Sequence, residues 1–433
     1  MKISVIGCGY LGAVHAACMA ELGHDVVGID VDAAKIASLA AGEAPFFEPG
    51  LPELLSSGVA SGRLRFSTDI EDARGAAVHF VAVGTPQKPG SDAADLRFVD
   101  ASFEALLAQV GPGDLVVGKS TVPVGTAARL AESVEAAGAT LAWNPEFLRE
   151  GFAVKDTLAP DRLVYGVRSG DAASVATLDA VYSTAIAAET PRLVTDYATA
   201  ELVKVAANAF LATKISFINA MSVVADATGA NITELADAIG HDARIGRRFL
   251  NAGVGFGGGC LPKDIRGFMA RADELGVGES LDFLKNVDAI NLAQRERVVQ
   301  LALAAADGDL SGTRVAILGL AFKPDSDDVR DSPALDVAVR LVALGATVKA
   351  TDPEAIETSR RVHPELDYVE TLEEAAQDAD IVVLLTEWKQ YRELDPAELA
   401  ALAAGRTIID GRNVLDSARW RDSGWTYRGL GRP

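Results

Sequence analysis

The spacing of apolar residues changes along the chain, and these changes predict where strands and helices lie. Residues 2–6 form a short apolar run typical of a buried strand, a helix-like stretch follows to Leu22, and a second strand-like run covers 25–29. This order of strand, helix and strand predicts a parallel sheet with helices on its faces. Further strand candidates in the same block are 77–83, 115–119, 140–143 and 162–167.

A long helical pattern separates this block from a second one. It runs from about Tyr197 to Thr228, with Thr195 or Asp196 as a candidate N-cap and Gly229 as the residue that ends it. At about 1.5 Å per residue, such a helix spans roughly 45 Å, which is long enough to separate two domains. Helical patterns continue through 232–239, 262–275 and 281–305.

The second α/β block begins at Arg314 and repeats the order of the first. A helix is predicted after Ser332 and Pro333, and the strand candidates are 314–318, 347–350, 381–385 and 407–409. The segments VIGCGYLG and AVHFVAVGTP of the first block correspond to AILGLAF and ADIVVLLTEW of the second. We therefore predict an α/β protein with two Rossmann-like doubly wound domains joined by a central helical region that contains one long helix. The predicted domains are 1–195, 196–310 and 311–433.

Composition and net charge exclude several classes of binding partner. The net charge of −21 argues against a general attraction to nucleic acid or to an anionic membrane surface. No uninterrupted apolar run approaches about 18 residues, and a strand pattern follows Met1 directly, so neither a membrane span nor a targeting segment is expected. Three cysteines, an odd and sparse set, are more typical of the cytoplasm than of a disulfide framework. No metal site is predicted.

Gly7, Gly9 and Gly12 form the pattern G-x-G-x-x-G directly after the first strand. Such glycines permit a tight turn and the close approach of a pyrophosphate, which the N-terminus of the following helix attracts. Asp30 ends the second strand, where its carboxylate can accept hydrogen bonds from an adenosine ribose and would repel a 2′-phosphate. The combination predicts NAD binding. The alternative is a glycine-rich turn that binds nothing, and Cys8 within it is interpreted as a small packing residue.

A second glycine-rich segment, GVGFGGGC, ends at Cys260 and contains five glycines. We interpret the glycines as backbone freedom that lets a ligand approach the main chain. Pro262 suits the first turn of a helix, so Cys260 is predicted just before a helix N-terminus that stabilises a thiolate, with Lys263 adding positive charge. The alternatives are a buried structural cysteine and, for Asp264, an ordinary acidic residue at a helix start.

Lys204 and Asn208 are four residues apart in the long helical pattern, and they therefore share one face of the helix. A lysine and an amide that point the same way can stabilise an oxyanion or hold a water molecule. The alternative is a solvated helix face, which is how we interpret Lys214.

Long stretches of the chain resemble the UDP-glucose/GDP-mannose dehydrogenase family nearly from end to end. They are EPGLPELL, VAVGTP, KSTVPVGT, NPEFLREG, NAFLATKISFIN, DARIGRRFLNAGVGFGGGCLPKD, LGLAFKPDSDDVRDSPA, LLTEW and DGRN. The resemblance implies NAD-dependent, four-electron oxidation of C6 of a nucleotide sugar to a carboxylate. It also implies that Cys260 adds to the intermediate aldehyde, that a second oxidation gives a thioester, and that water releases the acid.

The resemblance assigns roles to individual residues. It implies that Lys204 and Asn208 stabilise oxyanions, that Asp264 helps with proton transfer and activates water, that Thr121 orders a water molecule and that Glu146 takes part in thioester hydrolysis. The implied NAD contacts are Leu11, Asp30, Lys35, Thr85, Thr121, Glu150, Lys263 and Arg330. The implied substrate contacts are Phe147, Leu148, Arg149, Glu150, Lys204, Asn208, Phe249, Leu250, Asn251, Ala252, Gly253, Gly257, Lys323 and Arg412, of which Lys323 and Arg412 would offset the diphosphate charge.

Two positions depart from the family pattern. Gly259 stands where the family usually has serine, and Leu261 replaces the phenylalanine common in UDP-glucose enzymes and resembles GDP-mannose enzymes instead. The other motifs are more similar to UDP-glucose enzymes, so UDP-glucose is the expected substrate and GDP-mannose the alternative. N-acetylated sugars are less expected, because their enzymes usually carry a histidine before the cysteine.

Two other functions remain open at the level of sequence. A catalytically silent regulator that binds NAD or a nucleotide sugar would not need Cys260, Lys204, Asn208 and Asp264 together. A two-electron dehydrogenase, like those for β-hydroxyacids, would need neither the cysteine nor a second Rossmann domain.

The resemblance also implies an assembly of identical subunits. Arg244 lies in DARIG, and the matching arginine of the family reaches into the substrate site of the neighbouring subunit. The long helix would supply much of the interface through its apolar face, so a homodimer or a higher homo-oligomer is expected.

Overall fold

The structure is a computed structural model that describes residues 1–432. The chain divides into two compact units. The first contains Met1–Ala207 and Arg266–Gly278, and the second contains Asn208–Ile265 and the described residues from Glu279 onward. Each unit contains one Rossmann-like sheet, which confirms the predicted α/β fold with two such sheets.

The first sheet lies in the first unit. Its strands are β1 (Lys2–Ile6), β2 (Asp25–Ile29), β3 (Leu64–Ser67), β4 (Val78–Val81), β5 (Leu115–Gly118), β6 (Thr140–Trp143), β7 (Leu163–Gly166) and β8 (Arg192–Thr195). They lie in the order β3-β2-β1-β4-β5-β6-β7-β8, and every pair is parallel except β6 and β7. The strand order reverses between β1 and β4, and open α/β sheets bind ligands at the carboxyl ends of the strands at such a point.

Eight helices connect these strands. They are α1 (Tyr10–Glu21), α2 (Ala33–Ala40), α3 (Leu51–Ala60), α4 (Arg97–Leu107), α5 (Thr126–Ala136), α6 (Ala153–Leu158), α7 (Ala172–Val181) and α8 (Ser183–Ala187), with a 3₁₀ turn at Ile70–Ala73. Asp32 and Asp171 cap α2 and α7 by accepting hydrogen bonds from backbone N–H groups. All four residues of β4 are buried, as expected for a strand covered by helices on both faces.

Four helices belong to the middle of the chain. They are α9 (Tyr197–Thr228), α10 (Ile232–Gly240), α11 (Leu261–Glu274) and α12 (Asp282–Ala305), with a 3₁₀ turn at Gly278–Leu281. Asp196 caps α9 by accepting a 2.7 Å hydrogen bond from Thr199 N, and Gly229 follows the helix with a φ of +72°. Both predicted ends of the long helix are therefore confirmed.

By length and composition, α9 is long and apolar enough to cross a membrane. Its buried positions nevertheless include Ser216, Asn219 and Ser222, which are polar and at most 1% exposed, beside the fully buried Ala212 and Ile218. Polar side chains buried next to apolar ones are what a helix of a folded domain presents to its neighbours.

The second sheet lies in the second unit. Its strands are β9 (Arg314–Leu318), β10 (Thr347–Thr351), β11 (Asp367–Tyr368), β12 (Ile381–Leu384), β13 (Thr407–Asp410) and β14 (Thr426–Gly429), in the parallel order β11-β10-β9-β12-β13-β14. The helices are α13 (Pro333–Ala343), α14 (Ile356–Val362), α15 (Leu372–Ala376), α16 (Lys389–Arg392), α17 (Pro396–Leu402) and α18 (Ser417–Asp422). The helix predicted after Ser332 and Pro333 is present, and in the structure Ser332 caps it and Pro333 is its first residue.

Candidate active site

The first glycine-rich loop connects β1 to α1. A Cβ at Gly12 would lie 1.8 Å from the carbonyl oxygen of Gly7, and Gly7 itself has a φ of +89°, so neither position accepts a side chain without rearrangement. No side chain among residues 1–432 caps α1, and its first turn contains no acidic residue. The N-terminus of α1 can therefore attract a pyrophosphate, and the loop fits NAD.

Asp30 follows β2 and joins it to this loop. Its Oδ2 accepts hydrogen bonds from Cys8 N at 2.8 Å and from Lys35 Nζ at 3.1 Å, so two predicted NAD contacts, Asp30 and Lys35, lie together. Burial, and then the charge of Asp30, raise the pKa of the Cys8 thiol to about 12. Cys8 is fully buried and confirmed as a packing residue.

The ends of β4 and β5 bring two further predicted residues together. The Thr85 hydroxyl donates a 2.8 Å hydrogen bond to the carbonyl oxygen of Thr121. One residue earlier in the chain, the Ser120 hydroxyl donates to the carbonyl oxygen of Val83 at 2.6 Å. These bonds fix the loops at the carboxyl edge of the sheet, where a Rossmann domain places its ligand.

Glu146 follows β6 and forms a buried ion pair with Lys204 of α9. The Lys204 Nζ lies 2.7 Å from Glu146 Oε1, and the two side chains are 5% and 11% exposed. Leu148 N donates a 2.6 Å hydrogen bond to the other carboxylate oxygen. Burial opposes ionisation of Glu146, but the charge and hydrogen bond of Lys204 outweigh it and hold the pKa of Glu146 below its usual value. Glu146 is therefore a carboxylate at neutral pH.

The loop after Glu146 is fixed from several sides. The Arg162 guanidinium lies 3.7 Å from the centre of the Phe147 ring, and Arg149 pairs with Asp156 at 2.6 Å. Glu48, which the sequence reasoning missed, accepts hydrogen bonds from Gly151 N at 2.6 Å and from Ala153 N at 2.7 Å.

Glu48 also accepts a hydrogen bond from the Tyr10 hydroxyl, so it connects this loop to the start of α1. The signal for it was present in the segment EPGLPELL, which contains Glu48 but received no role in the sequence analysis.

In the second unit, Cys260 lies immediately before α11, as predicted. Cys260 is exposed, whereas Cys8 and Cys18 are buried. Asp264 is 4% exposed, and its carboxylate accepts 2.7 Å hydrogen bonds from Asn208 Nδ2 and from Lys263 Nζ. The alternative, that Asp264 is an ordinary acidic residue at a helix start, does not explain this burial. Such residues are normally exposed to solvent and need no buried partners. Asn208 and Asp264 thus form a buried polar pair one turn from the cysteine.

The glycines before Cys260 pack closely against the protein's own atoms, whereas the close approach of a ligand to this main chain stays a prediction. The nearest atoms to an added Cβ are Gly411 O at 2.8 Å for Gly253, Asn291 Oδ1 at 2.5 Å for Gly255, Asp331 O at 2.3 Å for Gly257, the Phe322 ring at 2.7 Å for Gly258 and the Arg330 guanidinium at 2.2 Å for Gly259. Packing against neighbouring segments therefore explains the glycine run.

Arg412 and Lys323 lie beside this loop. Arg412 donates to three backbone carbonyl oxygens, those of Leu385 at 2.7 Å, Gly255 at 3.1 Å and Phe322 at 2.8 Å. Lys323 Nζ lies 5.2 Å from the centre of the Phe322 ring. The structure thus gives Arg412 a part in fixing the glycine-rich loop, and diphosphate binding by Arg412 and Lys323 stays a prediction.

Lys214, Arg244 and Phe249 lie in or contact the segment 242–249. Lys214, interpreted as solvated, is partly exposed, and its Nζ donates to the carbonyl oxygens of Ile245 at 2.9 Å and Gly246 at 3.1 Å. Arg244 pairs with Asp242 at 2.6 Å, and its side chain is 89% exposed. Phe249 has a φ of +65°, a left-handed conformation that is uncommon for a bulky residue and concentrates at functional sites.

The predicted site residues divide between the two units. The first unit contains Gly7, Gly9, Leu11, Gly12, Asp30, Lys35, Thr85, Thr121, Glu146, Phe147, Leu148, Arg149, Glu150 and Lys204. The second contains Asn208, Arg244, Phe249, Leu250, Asn251, Ala252, Gly253, Gly257, Cys260, Lys263, Asp264, Lys323, Arg330 and Arg412. Lys204 and Asn208 have different partners, Glu146 and Asp264, although both belong to α9.

Three domain models of the UDP-glucose/GDP-mannose dehydrogenase family match the chain. The NAD binding domain matches residues 1–186, the central domain matches 198–293 and the UDP binding domain matches 316–417.

Full-length proteins and a solved structure are similar to the chain throughout. The UDP-glucose 6-dehydrogenase of Rhizobium meliloti (strain 1021) is 42% identical over 438 residues, which cover all of both chains. The UDP-glucose 6-dehydrogenase TuaD of Bacillus subtilis (strain 168) is 40% identical, over all of this chain and 93% of that protein. The structure of a UDP-glucose dehydrogenase from the hyperthermophilic archaeon Pyrobaculum islandicum has a TM-score of 0.90 and 40% identity, over all of this chain and 98% of that one.

Proposed function

The chain belongs to the UDP-glucose/GDP-mannose dehydrogenase family of NAD-dependent oxidoreductases, and we propose that it oxidises UDP-glucose to UDP-glucuronate. The observation that carries the proposal is the exposed Cys260 at the start of α11, beside the buried Asn208–Asp264 pair. A silent binding protein would have no use for an exposed thiol and a buried amide–carboxylate pair at this place. The names of the full-length relatives support UDP-glucose as the substrate.

The proposed reaction uses the thiol to make a second oxidation possible. NAD would supply the hydride acceptor, with one molecule of NAD consumed in each of the two oxidations. After the first oxidation, the Cys260 sulfur adds to the C6 aldehyde and gives a thiohemiacetal, which retains a hydrogen on C6 that can leave as hydride. The second oxidation gives a thioester, so the substrate stays attached to Cys260 between the two steps.

The pairs Asn208–Asp264 and Lys204–Glu146 stabilise the charged groups that form during this reaction. Asn208 donates to the oxyanion that forms when sulfur adds to the aldehyde, and Asp264, bonded to Asn208 at 2.7 Å, accepts and returns the proton of the alcohol oxygen. Lys204 donates to the oxyanion in the same way, and Glu146 receives a proton when water attacks the thioester. Thr121 orders a water molecule.

The nucleotide is held by the second Rossmann-like domain. We propose that Lys323 and Arg412 offset the diphosphate charge and that the segment 249–253 contacts the sugar and its nucleotide. The boundaries 1–195, 196–310 and 311–433 are proposed for the NAD-binding, central and nucleotide-binding domains. GDP-mannose is the second candidate substrate, because Leu261 resembles the residue of GDP-mannose enzymes.

Turnover of a panel of nucleotide sugars tests this assignment. The expected result is that UDP-glucose exceeds GDP-mannose in kcat/KM by about tenfold or more and that free glucose is not oxidised, because the nucleotide supplies much of the binding. NADH formation is measured with each sugar, and the acid product is identified by mass. The reverse order of the two nucleotide sugars would assign the protein to the GDP-mannose enzymes.

We also propose that the protein forms a homodimer through α9, in the cytoplasm. Phe210, Phe217 and Val224 are spaced by seven residues, so they lie along one stripe of the helix, and they are 67%, 49% and 53% exposed. Large apolar side chains in a continuous exposed stripe are typical of an interface. In the family, the arginine that matches Arg244 reaches into the substrate site of the neighbouring subunit. Arg244 would do the same in the proposed dimer.

Substitution of this stripe is expected to dissociate the dimer. Phe210→Glu with Phe217→Glu buries charge in the interface and should weaken association by about a thousandfold or more. Light scattering across a concentration series measures the change. Leu344→Glu, which alters an exposed apolar residue after α13, is the matched control and should leave the dimer intact. An unmodified protein that is monomeric and fully active at assay concentration would contradict the proposal.

A further inference from the structure

Lys119 carries a charge in a place where a charge is unfavourable for stability. Lys119 follows β5 and is 6% exposed. Within the described chain, its Nζ donates to two neutral groups, Asn144 Oδ1 at 3.0 Å and the Tyr182 hydroxyl at 3.4 Å. The rings of Phe80 and Tyr182 lie 5.9 and 5.8 Å from it. A buried ammonium without a bonded carboxylate costs free energy that an apolar side chain of similar size would not.

The cavity beside Lys119 connects it to the proposed catalytic carboxylate. Lys119 and Glu146 line the same cavity of about 50 Å³, together with His15, Asp156, Asp161, Arg162 and Tyr182 as the other titratable or charged side chains. Asp156 pairs with Arg149, and Arg162 lies over Phe147, so these groups have partners of their own. The cavity is large enough for water.

His15 supports the presence of water in this cavity. Its residue is fully buried, and both ring nitrogens have no hydrogen-bond partner among residues 1–432. Burial, and then the charge of Lys119, hold the pKa of His15 well below its usual value, so its ring is neutral. Neutral His15 therefore does not compete with Lys119 as a source of positive charge near Glu146.

The charges around Lys119 identify Glu146 as the residue on which it acts. Glu146 is bonded by Lys204 at 2.7 Å and has the charge of Lys119 as a second cation nearby. Burial lowers the pKa of Lys119 to about 8, with Glu146 opposing and Lys204 adding to this effect. Below that pH, two buried ammonium groups stabilise one buried carboxylate.

We propose that Lys119 is a positioning residue that assists Lys204 in keeping Glu146 ionised for the release of the acid from the Cys260 thioester. The proposal rests on the proposed function, in which Glu146 acts in this hydrolysis. In that step the oxygen of water bonds to the thioester carbon, the C–S bond breaks and Cys260 leaves as a thiolate. One proton of the water passes to Glu146, and the second is released when the product ionises to a carboxylate.

Lys119→Met tests the proposal because it removes the charge and keeps much of the volume. Without the Lys119 charge, the ionised form of Glu146 is less stable, so its pKa should rise. The acid limb of the kcat–pH profile should move up by about one pH unit, which lowers kcat about tenfold on that limb, and rates should converge with the unmodified enzyme at higher pH. Covalent adduct on Cys260, measured by intact mass during turnover, should accumulate at the lower pH.

Stability and two further variants separate this role from a packing role. Lys119→Met should leave the Tm unchanged or higher, since the substitution removes a buried charge. Lys119→Gln, a second neutral variant, should shift the same limb, and Tyr182→Phe, which keeps the charge and removes one hydrogen-bond partner of Lys119, should not. A lower Tm with an unshifted pH profile and no added adduct would overturn the proposal. If the unmodified enzyme itself forms no adduct, the proposed function fails instead.

Discussion

Replacing Cys260 with alanine is expected to abolish formation of the acid, with a loss of about 10⁴-fold or more, because in the proposed mechanism Cys260 holds the aldehyde for the second oxidation. Cys260 is the exposed cysteine of the chain, and it lies at the start of α11, where the helix dipole favours a thiolate. The affinities for NAD and for the nucleotide sugar should change little, since neither depends on the thiol.

The decisive measurement is the ratio of NADH formed to acid formed. The unmodified enzyme should give two NADH for each acid and no aldehyde in solution, because the intermediate stays attached to the protein. Cys260→Ser should form an ester that hydrolyses slowly and can be detected by intact mass, because its hydroxyl is far less ionised than a thiol.

Cys18→Ala is the matched control for this experiment. Cys18 is fully buried, and burial raises the pKa of its thiol to about 12, so it is unreactive and its replacement should leave the ratio unchanged. A ratio of one, or near-normal acid formation by Cys260→Ala, would make Cys260 a structural residue. The protein would then belong with the two-electron dehydrogenases.

The strands that the sequence predicted are those in the middle of each sheet. β4, β5 and β12 are buried along their whole length, so they form continuous apolar runs that stand out from their surroundings. The strands that it missed, β3, β8, β11 and β14, are the outer strands of the two sheets. Three residues of β8 are exposed and β11 has two residues, so neither contains an apolar run. Edge strands depend on pairing with a neighbour, which a local pattern does not report.

The site was predictable in its parts, but its pairings were not. Spacing alone placed Cys260 before a helix and Asp30 at the end of a strand, because both follow from local structure. The pairs Lys204–Glu146 and Asn208–Asp264 join residues 58 and 56 positions apart, and no local pattern relates them. Equal spacing on α9 suggested one shared task for Lys204 and Asn208, whereas each has its own carboxylate partner.

Two carboxylates that bind backbone N–H groups far from them along the chain were missed. Glu201 is 2% exposed and accepts 2.7 Å hydrogen bonds from Gly125 N and Ala127 N at the start of α5. Glu48 acts in the same way at the start of α6. Such caps are supplied from distant parts of the chain, so the sequence around the helix start does not show them.

Removing the charge of Lys204 should have the second-largest effect, because Lys204 pairs with Glu146 and has a proposed role as an oxyanion donor. Lys204→Met deletes this proposed donor and also leaves Glu146 buried without its bonded cation. The loss of one such donor lowers kcat by roughly 10²–10³-fold, and the raised pKa of Glu146 adds to that loss. Steady-state kcat with UDP-glucose measures the effect, and Lys204→Arg, which keeps the charge, should retain more activity than the methionine variant.

The pH dependence of stability should identify the cause. In the unmodified protein the pKa of Glu146 is lowered, so its pair with Lys204 stabilises the fold above the usual carboxyl pKa, and this contribution is lost as the pH falls through the lowered value. In Lys204→Met, burial dominates and raises the pKa of Glu146 above its usual value. The variant should therefore be destabilised most near neutral pH, by about 3 kcal/mol, and should approach the unmodified protein as the pH falls and Glu146 takes up a proton.

The double variant Lys204→Met with Glu146→Gln separates stability from catalysis. An amide in place of the carboxylate removes the uncompensated buried charge, so the Tm at neutral pH should recover while kcat stays low, because both proposed groups are then absent. Thermal unfolding between pH 5 and 8, measured beside kcat for the single and double variants, gives both quantities. If the double variant is as unstable as Lys204→Met at every pH, the ion pair is not what Lys204 contributes to the fold. If Lys204→Met keeps more than a tenth of the activity, Lys204 is not the oxyanion donor, and Asn208 must stabilise the developing charge alone.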